Sequence, residues 1–519
     1  MLPQTRTSSS PRDAAAGAGS TELSGPATAD DPIAPSDQGE GSPSGSETAP
    51  TERTPGSAAP VATRPRRRLW PWLVAAVLAV AVAATSFLPW EWSFIDDGGM
   101  LTFLHGYQHQ HGWFLGALDM IYHDFQGDRA WGLFRPTFWV FTGTFYLLPV
   151  GAAHAVRIAM VLCAIIGPLV PIARRFHGGP RVGMLIWTTA VVVAGGELFV
   201  GIWYPSLQET SGLCFIGLGF LATRRHWPRV LAWLAAAWFK APFAWLLLAY
   251  GLVLCRKRET RRLGIVTSLV SLGTLAAATL LARSGSYTSK LDFSPHNVRV
   301  NLDLSVGMFA APLLVVVAGL VLLRPRIDIS IAGDKDPTAV VLLLGGAGYL
   351  ANLLAWNVGG YYAGPYVYLL TLGVVFAVTG IGTTNPRWMT AALVVPVLMA
   401  GFFLHDTAVE GYDRLATVTG LRDCVLRLPD GAVTGTNRHE AWVRLDYIVR
   451  EHKPDWKGEV VLVLSGQVTG TDEDGAARGL DYFIYQPGYG FADPSLTSGP
   501  VVCRTPDANV YQVVPPTTA

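Results

Sequence analysis

The sequence predicts an α-helical polytopic membrane protein of about eleven transmembrane helices, with a small extracytoplasmic α/β domain at its C-terminal end. Three observations predict this class. Half of the 519 residues are hydrophobic and only 15% are charged, against about 25% in an average soluble domain. The charges gather at the two ends and in short clusters between apolar runs, several of which approach or exceed the ~18–20 residues that cross a bilayer as a helix. Seventeen Trp and seventeen Tyr suit long membrane–water boundaries, where amphipathic rings settle. The expected surroundings are therefore membrane lipid, and a formal net charge of +1 gives no reason to expect a nucleic-acid partner.

The first element is a tail, residues 1–68. Up to about residue 63 it is rich in Ser, Thr, Pro, Gly, Ala and acids with almost no aromatics, so it is expected to be disordered. No secretory signal is expected, because the first apolar run starts too late. Arg64, Arg66, Arg67 and Arg68 then precede the run Leu69–Leu88, and the positive-inside rule places the tail in the cytoplasm.

The transmembrane domain is expected to occupy 69–404. It begins with one span and a polar, aromatic outer loop over 90–151, whose segment Pro136–Val150 is short for a span and is predicted to lie on the membrane surface. Later basic clusters set the remaining topology: Arg174, Arg175 and Arg181; Arg224, Arg225 and Arg229; Arg256 to Arg262; Arg324 and Arg326; and Arg387. If all are cytoplasmic, pairs of spans separate them. The interval 230–255 is too short for two full spans, yet Trp238-Phe239-Lys240-Ala241-Pro242-Phe243 breaks it with a charge and a helix breaker. Charge bias favours two half-spans meeting near Lys240 over one continuous helix with a pore-facing lysine. The expected spans are 69–89, 152–173, 182–202, 207–223, 229–239, 242–255, 263–282, 306–323, 338–356, 365–383 and 388–404. That odd count leaves 405–519 outside, and the protein multi-pass in the plasma membrane.

In 405–519, residues 436–452 are expected to be helical, Glu459–Ser465 a buried strand and Gly470–Gly475 a turn. Asn437, Arg438, His439 and Glu440 are expected on the surface at a helix start, with no role in chemistry. Cys424 and Cys503 could form a disulfide in an oxidising compartment. Cys163, Cys214 and Cys255 lie in or beside apolar runs, and no zinc-type spacing occurs.

Candidate chemistry concentrates on the outer face. Asp96 and Asp97 follow the first span in Trp92-Ser-Phe-Ile-Asp-Asp-Gly-Gly99, and the same loop carries His105, His109, His111, His123, Asp124, Asp128, Arg129 and Arg135. Glu209, five residues beyond Tyr204, and Lys240 at the tip of the half-span hairpin are outward ionisable groups at membrane depth, where such groups are functional candidates by default. Each has a plainer account, Lys240 by snorkelling and Glu209 as a helix N-terminal acid. The loop 283–305 adds Lys290, His296, Arg299 and Asp303.

The arrangement resembles the GT-C superfamily of membrane glycosyltransferases, in which a first span is followed by an acidic pair in a long outer loop with surface helices. Asp96-Asp97 matches that position. The stretch from Arg135-Pro136 through Val156-Arg157-Ile158 to Ala173-Arg174-Arg175-Phe176 is similar to the surface helix and second span of protein O-mannosyltransferases and of the lipid A aminoarabinose transferase. Leu231–Lys257 is similar to an apolar segment with a central Lys. Pro205-Ser-Leu-Gln-Glu209 and Pro365-Tyr-Val-Tyr-Leu-Leu-Thr-Leu-Gly373 are similar to two segments of eukaryotic O-mannosyltransferases. Here, however, Pro365 replaces an Arg, Leu207 replaces a His, and the tetratricopeptide tail of that group is missing.

The resemblance implies a polyprenyl-phosphate-linked sugar as donor and inverting transfer to a glycan, lipid or protein acceptor. Inversion needs a carboxylate base: Asp96 first, with Asp97 as alternative or orienting partner. The departing phosphate needs positive charge, in order of preference from Lys240, Arg299 and Arg135. Glu209 could bind a sugar hydroxyl or, with Asp96, a divalent cation; no cofactor is otherwise implied. His105, Tyr204 and Tyr366 are further substrate-binding candidates. A transporter or flippase for a lipid-linked or polymeric substrate is the alternative, although it would commonly show paired repeats that this sequence lacks. A non-catalytic scaffold for envelope assembly is a third.

Overall fold

The computed structural model describes residues 91–92, 97–194, 198, 207–222, 225–284, 292–329, 337–355, 364–382, 386–464, 467–472, 476–487 and 493–514. The chain divides into two units, Met1–Arg66 and Arg67–Ala519, and all described residues belong to the second. The tail 1–68 and the expected first span 69–89 lie outside the described residues.

The part of the outer segment expected as a polar loop, 97–135, is largely helical, and the helix expected from Pro136 is present. The elements are α1 (Asp97–His111), α2 (Trp113–Trp131) and α3 (Pro136–Phe145). Gly112, at φ 83°, makes the reversal between α1 and α2 that a side chain would strain. Pro136 starts α3, where its missing N–H costs nothing.

The bundle follows: α4 (Val150–Arg175), α5 (Gly178–Ala194), α6 (Leu207–Leu221), α7 (His226–Phe239), α8 (Ala244–Leu254), α9 (Arg261–Ser284) and α10 (Pro295–Leu323). Strand β1 (Pro325–Ile327), α11 (Thr338–Leu354), α12 (Gly364–Ala377) and β2 (Val378–Ile381) complete it. Helices α4 and α9 are long and apolar enough to cross a membrane, and shorter apolar helices pack with them. On α9, Val266, Leu269 and Leu280 stand 57%, 63% and 65% exposed, an outward apolar stripe of the kind that suits lipid better than water.

The segment 226–254 is a hairpin. His226 Nδ1 and the Tyr250 hydroxyl share a hydrogen bond of 2.8 Å, whereas a continuous helix would hold them about 36 Å apart. Several basic clusters thereby come to one end of the bundle. Arg175 donates to the Phe376 carbonyl (2.7 Å), Phe220 stacks on Phe376, Arg229 donates to the Gly219 carbonyl (3.0 Å), and Arg326 pairs with Gly380 in the β1–β2 ribbon.

Two elements differ from expectation. Helix α10 begins at Pro295, not 306, because Ser294 caps it by accepting from the Asn297 N–H (3.3 Å). The last expected span, 388–404, belongs to one helix, α13 (Pro386–Arg427), of 42 residues. Pro396 and Gly401 lie inside it without ending it at 404. It continues because Leu415, Val418, Leu421 and Val425, on one face at helical spacing, are buried.

The C-terminal region holds β3 (Val433–Thr436), α14 (His439–His452), β4 (Glu459–Leu462), β5 (Gly470–Thr471), β6 (Ala477–Arg478), β7 (Tyr482–Tyr485), β8 (Val501–Arg504) and β9 (Asn509–Gln512). They form a seven-stranded sheet in the order β6-β5-β4-β3-β7-β9-β8. Strand β3 runs parallel to β4 and β7, and the other pairings are antiparallel. Cys424 at the end of α13 is disulfide-bonded to Cys503 of β8, with Cα atoms 6.2 Å apart. Asn437 is not a free surface residue: its side chain donates to the Gln486 carbonyl (3.2 Å) and accepts from the Gln486 N–H (3.1 Å). Arg438 is buried.

Two large apolar cores result. One fills the bundle. The other joins Trp92, Leu101, Leu104, Met120, Phe145 and Ala153 to Val418, Leu421, Val425, Leu445 and Ile448, so the 91–150 segments and the C-terminal domain fold around common side chains.

Candidate functional site

At the end of the bundle opposite the Arg175–Phe376 contact lies a buried ion pair. Pro242 cannot continue α7, so Lys240 leaves it in extended geometry (φ −147°, ψ 115°) and a 3-10 turn, Ala241–Phe243, starts the return into α8. Lys240 is thus the apex of the hairpin. Glu209 lies in the first turn of α6, where the helix dipole favours a carboxylate. Helix α6 runs antiparallel to α7, held by Trp233 Nε1 donating to the Ile216 carbonyl (3.1 Å), so the start of α6 reaches the apex. There the Lys240 ammonium and the Glu209 carboxylate pair, only 5% and 8% exposed.

Surface helix α3 covers this apex. Phe239 stacks on Phe215 and meets Phe141 of α3 edge-on, at 5.6 and 5.4 Å. Acids on α2 fasten α3 in place. Asp128 accepts from Arg135 Nε (2.9 Å), from Arg135 Nη2 and from Trp139 Nε1 (2.5 Å). Asp124 accepts from the Thr142 hydroxyl. Burial, with Asp128 adding to it, pushes the Asp124 carboxyl up to about 6, against the opposing pull of Thr142 and Arg135.

Ahead of α1, Glu91 and Trp92 are both buried. Glu91 pairs with Arg422 of α13 (2.5 Å) and with His452 of α14 (3.3 Å), while its carbonyl is hydrogen-bonded by His154 Nε2 (2.8 Å). The Arg157 guanidinium lies over the Trp92 and Phe145 rings at 5.5 and 5.2 Å.

The expected site residues fall out as follows. Lys240 and Glu209 are brought together. Asp96, Tyr204 and Lys290 lie outside the described residues. Asp97 is the first residue of α1, with its side chain outside the described set. His105 sits on α1 against Tyr447 of α14, ring centroids 4.8 Å apart, and burial lowers its pKa. Arg135 is engaged by Asp128 and stands over the Phe138 ring at 4.3 Å. Arg299 is 84% exposed at its side chain, with Asp303 at 3.9 Å one turn on. Tyr366 is buried, stacked on Phe309. Among the described residues no group of three or more His, Cys, Asp or Glu gathers that could hold a metal.

Sequence reasoning missed Glu91 and its partners. A carboxylate between Trp90 and Trp92, and His154 and Arg157 inside an apolar run, were the available signals. The partner Arg422 lies 331 positions away, beyond the reach of any local pattern.

No protein-family model matches the sequence, and no curated protein matches it. The crystal structure of ArnT from Cupriavidus metallidurans bound to undecaprenyl phosphate is similar in shape, with a TM-score of 0.47 at 15% sequence identity, over 86% of this chain and 98% of that one.

Proposed function

We propose that this chain is a membrane-embedded glycosyltransferase that moves a sugar, with inversion, from a polyprenyl-phosphate carrier to a glycan, lipid or protein acceptor. Its basic end faces the cytoplasm of a plasma-membrane protein, and the C-terminal domain faces outward. The observation that carries the proposal is the Lys240–Glu209 pair, buried at the apex of a broken apolar hairpin and covered by α3. An ammonium in such surroundings is costly unless paired. A phosphate head arriving from a lipid carrier can replace Glu209 as its partner, which frees that carboxylate for a sugar hydroxyl.

In this reaction the acceptor hydroxyl oxygen attacks the anomeric carbon. The bond from that carbon to the phosphate oxygen breaks, its electron pair leaves on the phosphate, and the hydroxyl proton passes to a carboxylate. Asp96 is the proposed base and Asp97 its orienting partner or replacement. Lys240 stabilises the departing phosphate. Arg299 is the next cation, exposed on α10, whereas Arg135 is held by Asp128 and serves α3 first. A divalent cation would find hard oxygen donors in Asp96 and Glu209. His105, Tyr204 and Tyr366 remain candidates for substrate contacts.

The test is transfer from radiolabelled polyprenyl-phosphate sugars in membranes expressing wild type, Asp96→Asn or Asp97→Asn. We expect wild-type product and a loss of roughly 10²–10⁴-fold in the variant that lacks the base. Folded wild type that transfers from no donor would overturn the assignment in favour of a transporter or a scaffold.

A further inference from the structure

We infer that the C-terminal domain is a clamp on the segment bearing Asp96-Asp97, with Arg422 and Tyr447 as positioning residues on its two flanks. The inference rests on the proposed function only in calling that segment catalytic.

On the upstream flank, Glu91 is fixed at both side chain and main chain. Its carboxylate, 1% exposed, meets Arg422 Nη1 (2.5 Å) and His452 Nε2 (3.3 Å), and it also accepts from the Trp92 N–H (2.9 Å). Trp92 is fully buried beside it, under the Arg157 guanidinium at 5.5 Å. A fully buried carboxylate with this many donors is held in one place, because losing a donor would strand its charge.

On the downstream flank, α1 starts at Asp97, and eight residues later His105 is hydrogen-bonded by the Tyr447 hydroxyl (2.9 Å to Nε2). Leu101 and Leu104 of α1 are buried in one core with Leu445 and Ile448 of α14. In sequence, Asp96 follows Glu91 by five residues and precedes His105 by nine. The side-chain partners belong to α13 and α14, while the Glu91 carbonyl is held by His154 of α4, and the Cys424–Cys503 disulfide fixes the end of α13 to the sheet two residues beyond Arg422. In a near-attack geometry a shift of about 1 Å costs about 10²-fold, so small movements of the flanks reach the chemistry.

The test uses full-length protein in nanodiscs and amide hydrogen exchange. In Arg422→Gln/Tyr447→Phe, exchange across 97–111 should rise at least tenfold, while α7 and α8 stay within twofold of wild type. Tyr447→Phe alone, at a half-exposed contact the fold can lose, should raise exchange in 101–111. In the transfer assay kcat should fall at least tenfold with the donor KM within threefold, and Arg422→Lys should recover most of it. Unchanged exchange in both variants, or a loss that lies wholly in KM, would overturn the clamp. Wild type without transfer activity would instead remove the glycosyltransferase proposal and leave the exchange result to decide the clamp by itself.

Discussion

Lys240 and Glu209 are each other's counter-ion in a setting that solvates neither, and this fixes how substitutions act. Removing one partner leaves a stranded charge, a loss of about 3–5 kcal/mol, whereas replacing both by apolar or neutral groups of similar volume is often tolerated. We therefore expect Lys240→Met to lower the melting midpoint in detergent. The double variant Lys240→Met/Glu209→Gln should regain most of that stability and remain inactive. A double variant that regains activity along with stability would show the pair to be structural only. Asp124 makes an opposite kind of prediction. Its folded pKa, about 6, stands above the ordinary 3.8, so between those values the native state binds more proton than the unfolded state. Stability is then greatest below pH 4 as far as this group is concerned, falls as pH rises to about 6, and is lower by at most about 3 kcal/mol above it. Asp124→Asn keeps an acceptor for Thr142 and removes the charge. Its melting midpoint at pH 7.5 should exceed the wild-type value, and the wild-type decline between pH 4 and 6 should flatten.

Packing between elements turns on small residues where helices cross. A Cβ on Gly167 of α4 would come within 2.3 Å of the Gly217 carbonyl oxygen, and one on Gly217 of α6 within 2.1 Å of the Cys163 carbonyl oxygen. Both obstacles are backbone, so neither can rotate away. Gly217→Ala should separate α4 from α6 and destabilise by about 1–3 kcal/mol or more, read as a lower melting midpoint. Gly273→Ala, where nothing lies within 4 Å, is the matched control and should be near neutral. At this scale much was legible. Pro242 after Lys240 announced the hairpin, because a breaker and a charge in an apolar run are both local. The length of α13 was not, since its continuation depends on Leu415 to Val425 finding a second core contributed by distant segments. The same reason hid part of the site. The sequence set Lys240 and Glu209 on one outward face without foretelling their ion pair, and likewise Arg135 offered no sign that Asp128 would engage it, nor Glu91 that Arg422 would.

For the whole molecule, α13 is the connecting element. Its 42 residues run about 63 Å, from contacts with the bundle into the core shared by α1, α14 and the sheet. The Cys424–Cys503 bridge closes a loop of 79 positions across that second core, and such a crosslink stabilises by about 2–4 kcal/mol, chiefly by restricting the unfolded chain. A disulfide persists on the oxidising side of a membrane, and the basic clusters belong on the cytoplasmic side. These two criteria are physically independent, and the fold puts the two features on α13's far end and on the bundle's basic end respectively. They make one joint prediction about orientation. Alkaline phosphatase fused after Val514 should be active and fluorescent protein fused there dark, while the same reporters fused after Arg258, in the basic turn following α8, should give the reverse. In intact cells a membrane-impermeant reductant should free Cys424 and Cys503 for labelling and lower the melting midpoint of the extracted protein. Reporters that agree at both positions would mean an odd number of crossings between 258 and 514 is wrong, and with it the outward placement of the clamp and the site it holds.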